Sequence, residues 1–222
     1  MVYCTLAASL IFFCVFIGLL ILRHRRAQIV MSSERVQFAA PHTVDQPREV
    51  SEMERPLLDV QLLTVNEYSR PGIPLEQVNG IVIHYTANPG TSAQDNRDYF
   101  EGLKTSHATK ASSHFIIGLE GEIVQCIPCN EWAYASNERN EDTISIECCI
   151  PDESGKFAQQ TYDSLVELVS WLCFRYGLTE KDLLRHYDIT GKNCPKYYVQ
   201  NEEAWETFCE DVNIYMEKKA DE

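Results

Sequence analysis

Three residues far apart in this chain carry side chains that ligate metals: His84, His186 and Cys194. His84 follows the β-branched and aliphatic run Gly80-Ile81-Val82-Ile83, which reads as a buried strand. That places it at a strand's C-terminal end, where open α/β sheets hold their ligands. His186 and Cys194 flank Tyr187-Asp188-Ile189-Thr190-Gly191-Lys192-Asn193, a polar loop with a glycine at which the chain can fold back. The return lets an imidazole and a thiolate converge on one ion. Two imidazoles and a thiolate suit Zn2+, and three protein ligands leave a fourth position for water, as in catalytic zinc sites. Spacing alone keeps a plainer reading open: a His at a strand end is commonly a hydrogen-bonded surface group, and an isolated Cys is commonly core. Glu147 raises a separate question. It interrupts the apolar run Thr143 to Ile150, and a charge there is costly unless partnered. An outward position in period-two alternation, shared with Ser145, is the simpler alternative.

These residues need a scaffold. Ser92 can cap a helix running to about Lys104, with Tyr99, Phe100 and Leu103 inward. His114 to Ile117 and Glu122 to Ile127 read as a hairpin around Gly118-Leu119-Glu120-Gly121. Thr161 to Tyr176 is a helix whose apolar face is Leu165, Leu168, Val169, Leu172 and Cys173, closed by Gly177. Asn201 caps a last amphipathic helix with Trp205, Phe208 and Val212 inward and Lys218 and Lys219 in its final turn. Strands interleaved with helices predict an α/β domain around a mixed central sheet.

The 222 residues suffice for one well-buried domain and appendages. Val2 to Leu22 is uncharged and rich in Leu, Ile, Phe and Val, long enough for a helix of about 30 Å, the thickness of a bilayer core. Arg23-His24-Arg25-Arg26 follows with no small-x-small cleavage motif, so a retained membrane helix is expected rather than a cleaved signal peptide. The organisation expected is an anchor with its basic flank over residues 1–26, a flexible linker over 27–55 and a folded domain over 56–222. The positive-inside rule would hold the arginine flank in the cytoplasm, whereas the chemistry inferred below acts on the other side, and the chemistry decides the expectation. Net charge is −14, and removing the +3 of Arg23, Arg25 and Arg26 leaves −17 for the rest. Such a body repels nucleic acid and anionic surfaces, so no nucleic-acid partner is expected. Of nine cysteines, Cys4 and Cys14 lie in the apolar span. With one of the remaining seven given to a metal, six could form three disulfides in an oxidising compartment or stay as thiols. Cys126-x-x-Cys129 has no second such pair, which weakens a zinc-knuckle reading.

Four separated stretches, in order, resemble the N-acetylmuramoyl-L-alanine amidases, the family of phage endolysins and peptidoglycan recognition proteins. They are Ile81-Val82-Ile83-His84-Tyr85-Thr86, Ser112-Ser113-His114-Phe115-Ile116-Ile117, Ile144-Ser145-Ile146-Glu147 and Arg185-His186-x7-Cys194-Pro195. The resemblance runs from about Val60 to Glu217. It implies a mixed sheet flanked by helices, a groove across a zinc ion, and His84, His186 and Cys194 as its ligands. It also implies Glu147 as general base for a water at the zinc and Lys192 as the group that steadies the oxyanion, against the alternative of a solvated loop lysine. Tyr85 and Trp132 are implied as substrate-binding residues of the groove, with core packing an equal alternative for Trp132. Some branches of the family carry a tyrosine where this chain has Ser113, so a catalytic phenol is excluded there and Glu147 gains weight. His114 is left without a role. The implied substrate is bacterial peptidoglycan, cut between N-acetylmuramic acid and L-alanine by a monomer held on the extracytoplasmic side of the bacterial membrane. The competing expectation is a non-catalytic peptidoglycan-binding receptor on the same fold. Loss of the thiolate ligand marks that branch, and Cys194 is present here. A structural-zinc or disulfide-rich interaction domain is the third.

Overall fold

The computed structural model describes residues 53–220. The expected membrane helix and most of the expected linker lie outside the described residues. Among those described, no helix is long and apolar enough to cross a membrane. The elements are β1 (Leu58–Val60), β2 (Gly80–Tyr85), α1 (Ala93–Ser106), β3 (Phe115–Ile117), β4 (Ile123–Gln125), β5 (Thr143–Cys148), α2 (Gln159–Tyr176), β6 (Leu183–Arg185), α3 (His186–Thr190), α4 (Lys196–Gln200) and α5 (Glu202–Ala220). Short 3-10 turns precede β5 and β6. The six strands form one sheet in the order β1-β4-β3-β5-β2-β6. Only the β3–β4 hairpin is antiparallel, so the sheet is mixed and flanked by helices, as expected.

Both faces of the sheet are covered, which is why β2 and β5 read as nearly continuous apolar runs. Ile81, Ile83, Phe115, Ile117, Ile144, Ile146 and Cys148 face α2 and α5, meeting Leu165, Leu168, Val169, Leu172, Trp205, Phe208 and Val212. Met53, in the stretch expected to be linker, is buried in the same cluster. On the other face Ile116 and Val124 meet Phe100 and Leu103 of α1. Ser92 and Asp95 form a reciprocal capping box at the start of α1. Gly177 ends α2 in the left-handed region, at φ 68°. Gly121, at φ 87°, turns the β3–β4 hairpin against α2. A Cβ there would lie 2.8 Å from Ser164 Oγ and 2.9 Å from the Gln160 carbonyl oxygen, so no other residue fits.

Three expectations need correction. Tyr99 is 55% exposed, because α1 buries the stripe of Ala93, Phe100 and Leu103 and Tyr99 lies about 100° around the helix from Phe100. Asn201 does stand at the start of α5, but its amide donates to the Tyr197 carbonyl instead of accepting from the helix. The loop after His186 begins as the short helix α3 and reverses at Gly191, with φ 75°. Of the two states left open for the cysteines, the seven described ones take the free thiol. Strands β1 and β6 are additions that the sequence did not signal.

Candidate active site

The sheet brings the candidate residues together at the C-terminal ends of β2, β5 and β6. In the parallel ladder His84 stands opposite Glu147, and Glu147 opposite Ile116 on its other side. Ile83 pairs with Arg185, so His186 emerges just beyond the end of β6, beside His84. The hairpin that carries Cys194 folds back at Gly191 and closes with the Tyr187 N–H donating to the Cys194 carbonyl at 2.9 Å. His84, His186 and Cys194 are all buried.

Their donor atoms converge. His84 Nδ1 lies 3.1 Å from His186 Nδ1 and 3.9 Å from Cys194 Sγ, and the ligand atoms of the three residues all fall within 4.8 Å of one another. Zn–N bonds of about 2.0–2.1 Å and Zn–S bonds of about 2.3 Å put tetrahedral ligand atoms roughly 3.4–3.6 Å apart. The observed separations bracket that span, so the donors fit a zinc ion in both chemistry and spacing. Ser136 Oγ lies 3.4 Å from His84 Nε2. A partner on the far nitrogen leaves Nδ1 as the donor atom. Burial lowers the pKa of both imidazoles, His84 further through the charges of His186 and Lys192 and His186 further through Lys192. Both are therefore neutral, the form that binds metal. Burial pushes the Cys194 thiol up to about 12 and the Glu147 charge adds to that, while the Tyr85 backbone amide and Lys192 pull it down. A cation is the partner that makes such a sulfur a thiolate.

Glu147 carries the second distinctive feature. Burial raises its carboxyl to about 8, with Lys192 pulling the other way. Its Oε2 is shielded from water and has no hydrogen-bond partner, and Thr86 Oγ1 is the other such atom among the described residues. Buried polar atoms are nearly always satisfied, and both exceptions sit at the strand ends around His84. Lys192 is exposed on the hairpin, yet its charge reaches His84, His186, Glu147 and Cys194. Such a group can meet negative charge developing above the donors.

The remaining candidates divide. Tyr85 reaches the site through its backbone amide on Cys194, while its ring borders Gly155 and packs on the larger core. Trp132 is half-buried against that same core, and its backbone N–H donates to the Ile73 carbonyl. His114, unassigned from sequence, is a buried tie. Its Nδ1 accepts from the Ser145 N–H at 3.0 Å and its Nε2 donates to the Glu131 carbonyl at 2.8 Å. It thereby fixes β5 to the segment that leads on to Ser136. Sequence reasoning missed Ser136, which is one serine in a polar stretch and carries no spacing signal. It missed the Tyr85 amide because backbone groups are the same in every residue.

The profile of the family described as N-acetylmuramoyl-L-alanine amidase matches residues 74–197. N-acetylmuramoyl-L-alanine amidase CwlL of Bacillus licheniformis is 39% identical over 168 residues, covering 70% of this chain and 46% of that protein. N-acetylmuramoyl-L-alanine amidase BlyA of Bacillus subtilis (strain 168) is 33% identical over 179 residues, covering 71% of this chain and 47% of that protein. The chain thus spans about half the length of the curated relatives it matches. Among solved structures, PlyL superposes with a TM-score of 0.61 at 21% identity, covering 71% of this chain and 97% of PlyL. The catalytic domain of XlyA superposes at 0.58 and 22% identity, covering 69% of this chain and 99% of that domain. At these identities the superpositions establish the fold. The family match, over more than half of this chain's length, shows that the chain belongs to the N-acetylmuramoyl-L-alanine amidase family.

Proposed function

We propose that this protein is a zinc-dependent N-acetylmuramoyl-L-alanine amidase, hydrolysing the amide between N-acetylmuramic acid and L-alanine in bacterial peptidoglycan. The observation that carries the reading is the convergence of His84, His186 and Cys194 donor atoms within 4.8 Å, on the fold of an amidase family. Zinc held there would supply Lewis acidity, polarising the scissile carbonyl and acidifying water.

The chain's own residues do the rest. Glu147, with its unpartnered Oε2 beside His84, takes the proton of the attacking water and delivers it to the leaving amine nitrogen. It must be ionised to begin, and the Lys192 charge works in that direction against burial. Lys192 then stabilises the negative oxygen of the tetrahedral intermediate. Tyr85 and Trp132 are assigned to holding the muramyl peptide. The proposed organisation is an N-terminal membrane helix over residues 1–26, a linker over 27–55 and the amidase domain over 56–222. It places the catalytic domain of a monomer on the extracytoplasmic side of a bacterial membrane. The retained Cys194 is the reason to prefer an enzyme over a non-catalytic peptidoglycan receptor on this fold.

The test is digestion of purified sacculi with and without a chelator, scored by release of stem peptides with a free L-alanine amino terminus. Expected is release that the chelator stops and added Zn2+ restores. Binding to sacculi without release would favour the receptor.

A further inference from the structure

Arg185 is the last residue of β6, directly before His186, and its side chain is only 9% exposed. Four of its five N–H groups are engaged. Nε and Nη2 reach the Asp188 carboxylate at 2.8–3.2 Å, and Nη1 reaches the Tyr198 carbonyl at 3.1 Å and Glu202 Oε2 at 2.6 Å. The guanidinium centre also lies 5.6 Å from the Tyr187 ring and 5.3 Å from the Trp205 ring. These partners lie on both sides of Cys194. Tyr187 and Asp188 follow His186 in α3, Tyr198 follows Cys194 in α4, and Glu202 and Trp205 open α5. The family match ends at residue 197, so three of the five partners lie beyond it.

Burying an ion pair is a weak way to stabilise a fold, since apolar side chains of similar volume often do as well. What the planar fork supplies is direction, because each N–H fixes the angle as well as the distance of its partner. We propose that Arg185 is the positioning residue of the metal centre. It fastens the hairpin carrying His186 and Cys194 to α4 and α5, so that the C-terminal helix sets the spacing of two of the three donors. It touches no substrate, and it acts through His186 and Cys194. The inference rests on the zinc site proposed above.

The test uses the full chain with Arg185→Lys, Asp188→Asn and Glu202→Gln. Zinc affinity is measured by chelator competition, thermal unfolding is followed without metal, and the visible spectrum of the Co2+-loaded protein reports the thiolate donor and its geometry. For Arg185→Lys the zinc affinity should weaken about 10–100-fold, the usual effect of removing a group that orients metal ligands, and the Co2+ spectrum should change. Asp188→Asn should weaken it less, and Glu202→Gln, whose carboxylate is 61% exposed, by a few-fold. Unaltered zinc affinity and Co2+ spectrum in Arg185→Lys would overturn the proposal, even if the metal-free protein unfolds earlier. Should that variant fail to fold, unaltered affinity in both carboxylate variants overturns it equally. A wild-type chain that binds no zinc refutes the metal site itself, an outcome distinct from wild-type binding that the variants share.

Discussion

The two halves of the site reach the same point by different means. His84 and Glu147 are held by the ladder between β2 and β5, flanked by strands on both sides, so their placement is a matter of register. His186, Lys192 and Cys194 ride on a strand end and a short hairpin, whose shape depends on one left-handed glycine and a few side-chain bonds. A strand register is enforced by every buried residue along it, because a one-residue slip turns all of them to the wrong face. A hairpin has no such redundancy. The sheet half should therefore tolerate neighbouring substitutions while failing completely when a reacting group changes, and the hairpin half should degrade by increments.

Glu147→Gln is the sharpest way to break that comparison. It keeps shape and register but removes the proposed base, so kcat should fall about 10²–10⁴-fold while bound zinc, measured by metal analysis, stays at the wild-type level. Near-wild-type turnover would remove Glu147 from the chemistry.

His114 sharpens the sheet side. Burial holds it neutral, with a pKa of about 4 against an ordinary 6.5, although the Glu131 carbonyl and charge pull the other way. The folded state refuses a proton that the unfolded chain accepts, so the stabilising contribution is whole above about pH 6.5 and disappears as pH falls toward 4. The full loss is about 3 kcal/mol, and roughly 2 kcal/mol of it falls between pH 7.5 and pH 5. Urea unfolding of metal-free wild type and His114→Gln at both pH values should show the variant losing less stability on acidification. Equal losses would mean that His114 is not held neutral.

Lys192→Ala tests the hairpin side and should have the smallest effect. An exposed ammonium at a loop is worth less than a buried donor, whose removal costs about 10²–10³ in rate, so a fall of about tenfold in kcat with zinc retained is expected. A loss as large as that of Glu147→Gln would show that the hairpin closes over the substrate and excludes water from Lys192.

The same contrast explains what could be read in the sequence. The strand carrying His84 was legible because five consecutive buried residues share one pattern, and α2 because its apolar stripe ends at a glycine in the left-handed region that suits glycine. The candidate metal donors were legible by type and by resemblance, since few residue types bind zinc. Strands β1 and β6 were not, because three residues cannot display a period and, unlike the equally short β3 and β4, they flank no glycine-marked hairpin turn. Tyr99 and Asn201 misled for a shared reason. An aromatic ring beside an apolar stripe, or an amide at a helix start, has two places to go, and tertiary contacts choose between them. His114 had no role that the sequence could assign. Its role as a tie exists only once β5 and the Glu131 carbonyl are brought to its two nitrogens.

The free cysteines carry a chemical consequence. Burial lifts Cys126, Cys149, Cys173 and Cys209 to about 12. At neutral pH their nucleophilic form is then on the order of one part in 10⁵, since the thiolate is the reactive species. Among the described residues these thiols thus offer electrophiles and peroxides little thiolate to attack. These four sulfhydryls act as small apolar filler, and among the described cysteines Cys194, beside two imidazoles, is the one that the proposed zinc would hold as a thiolate.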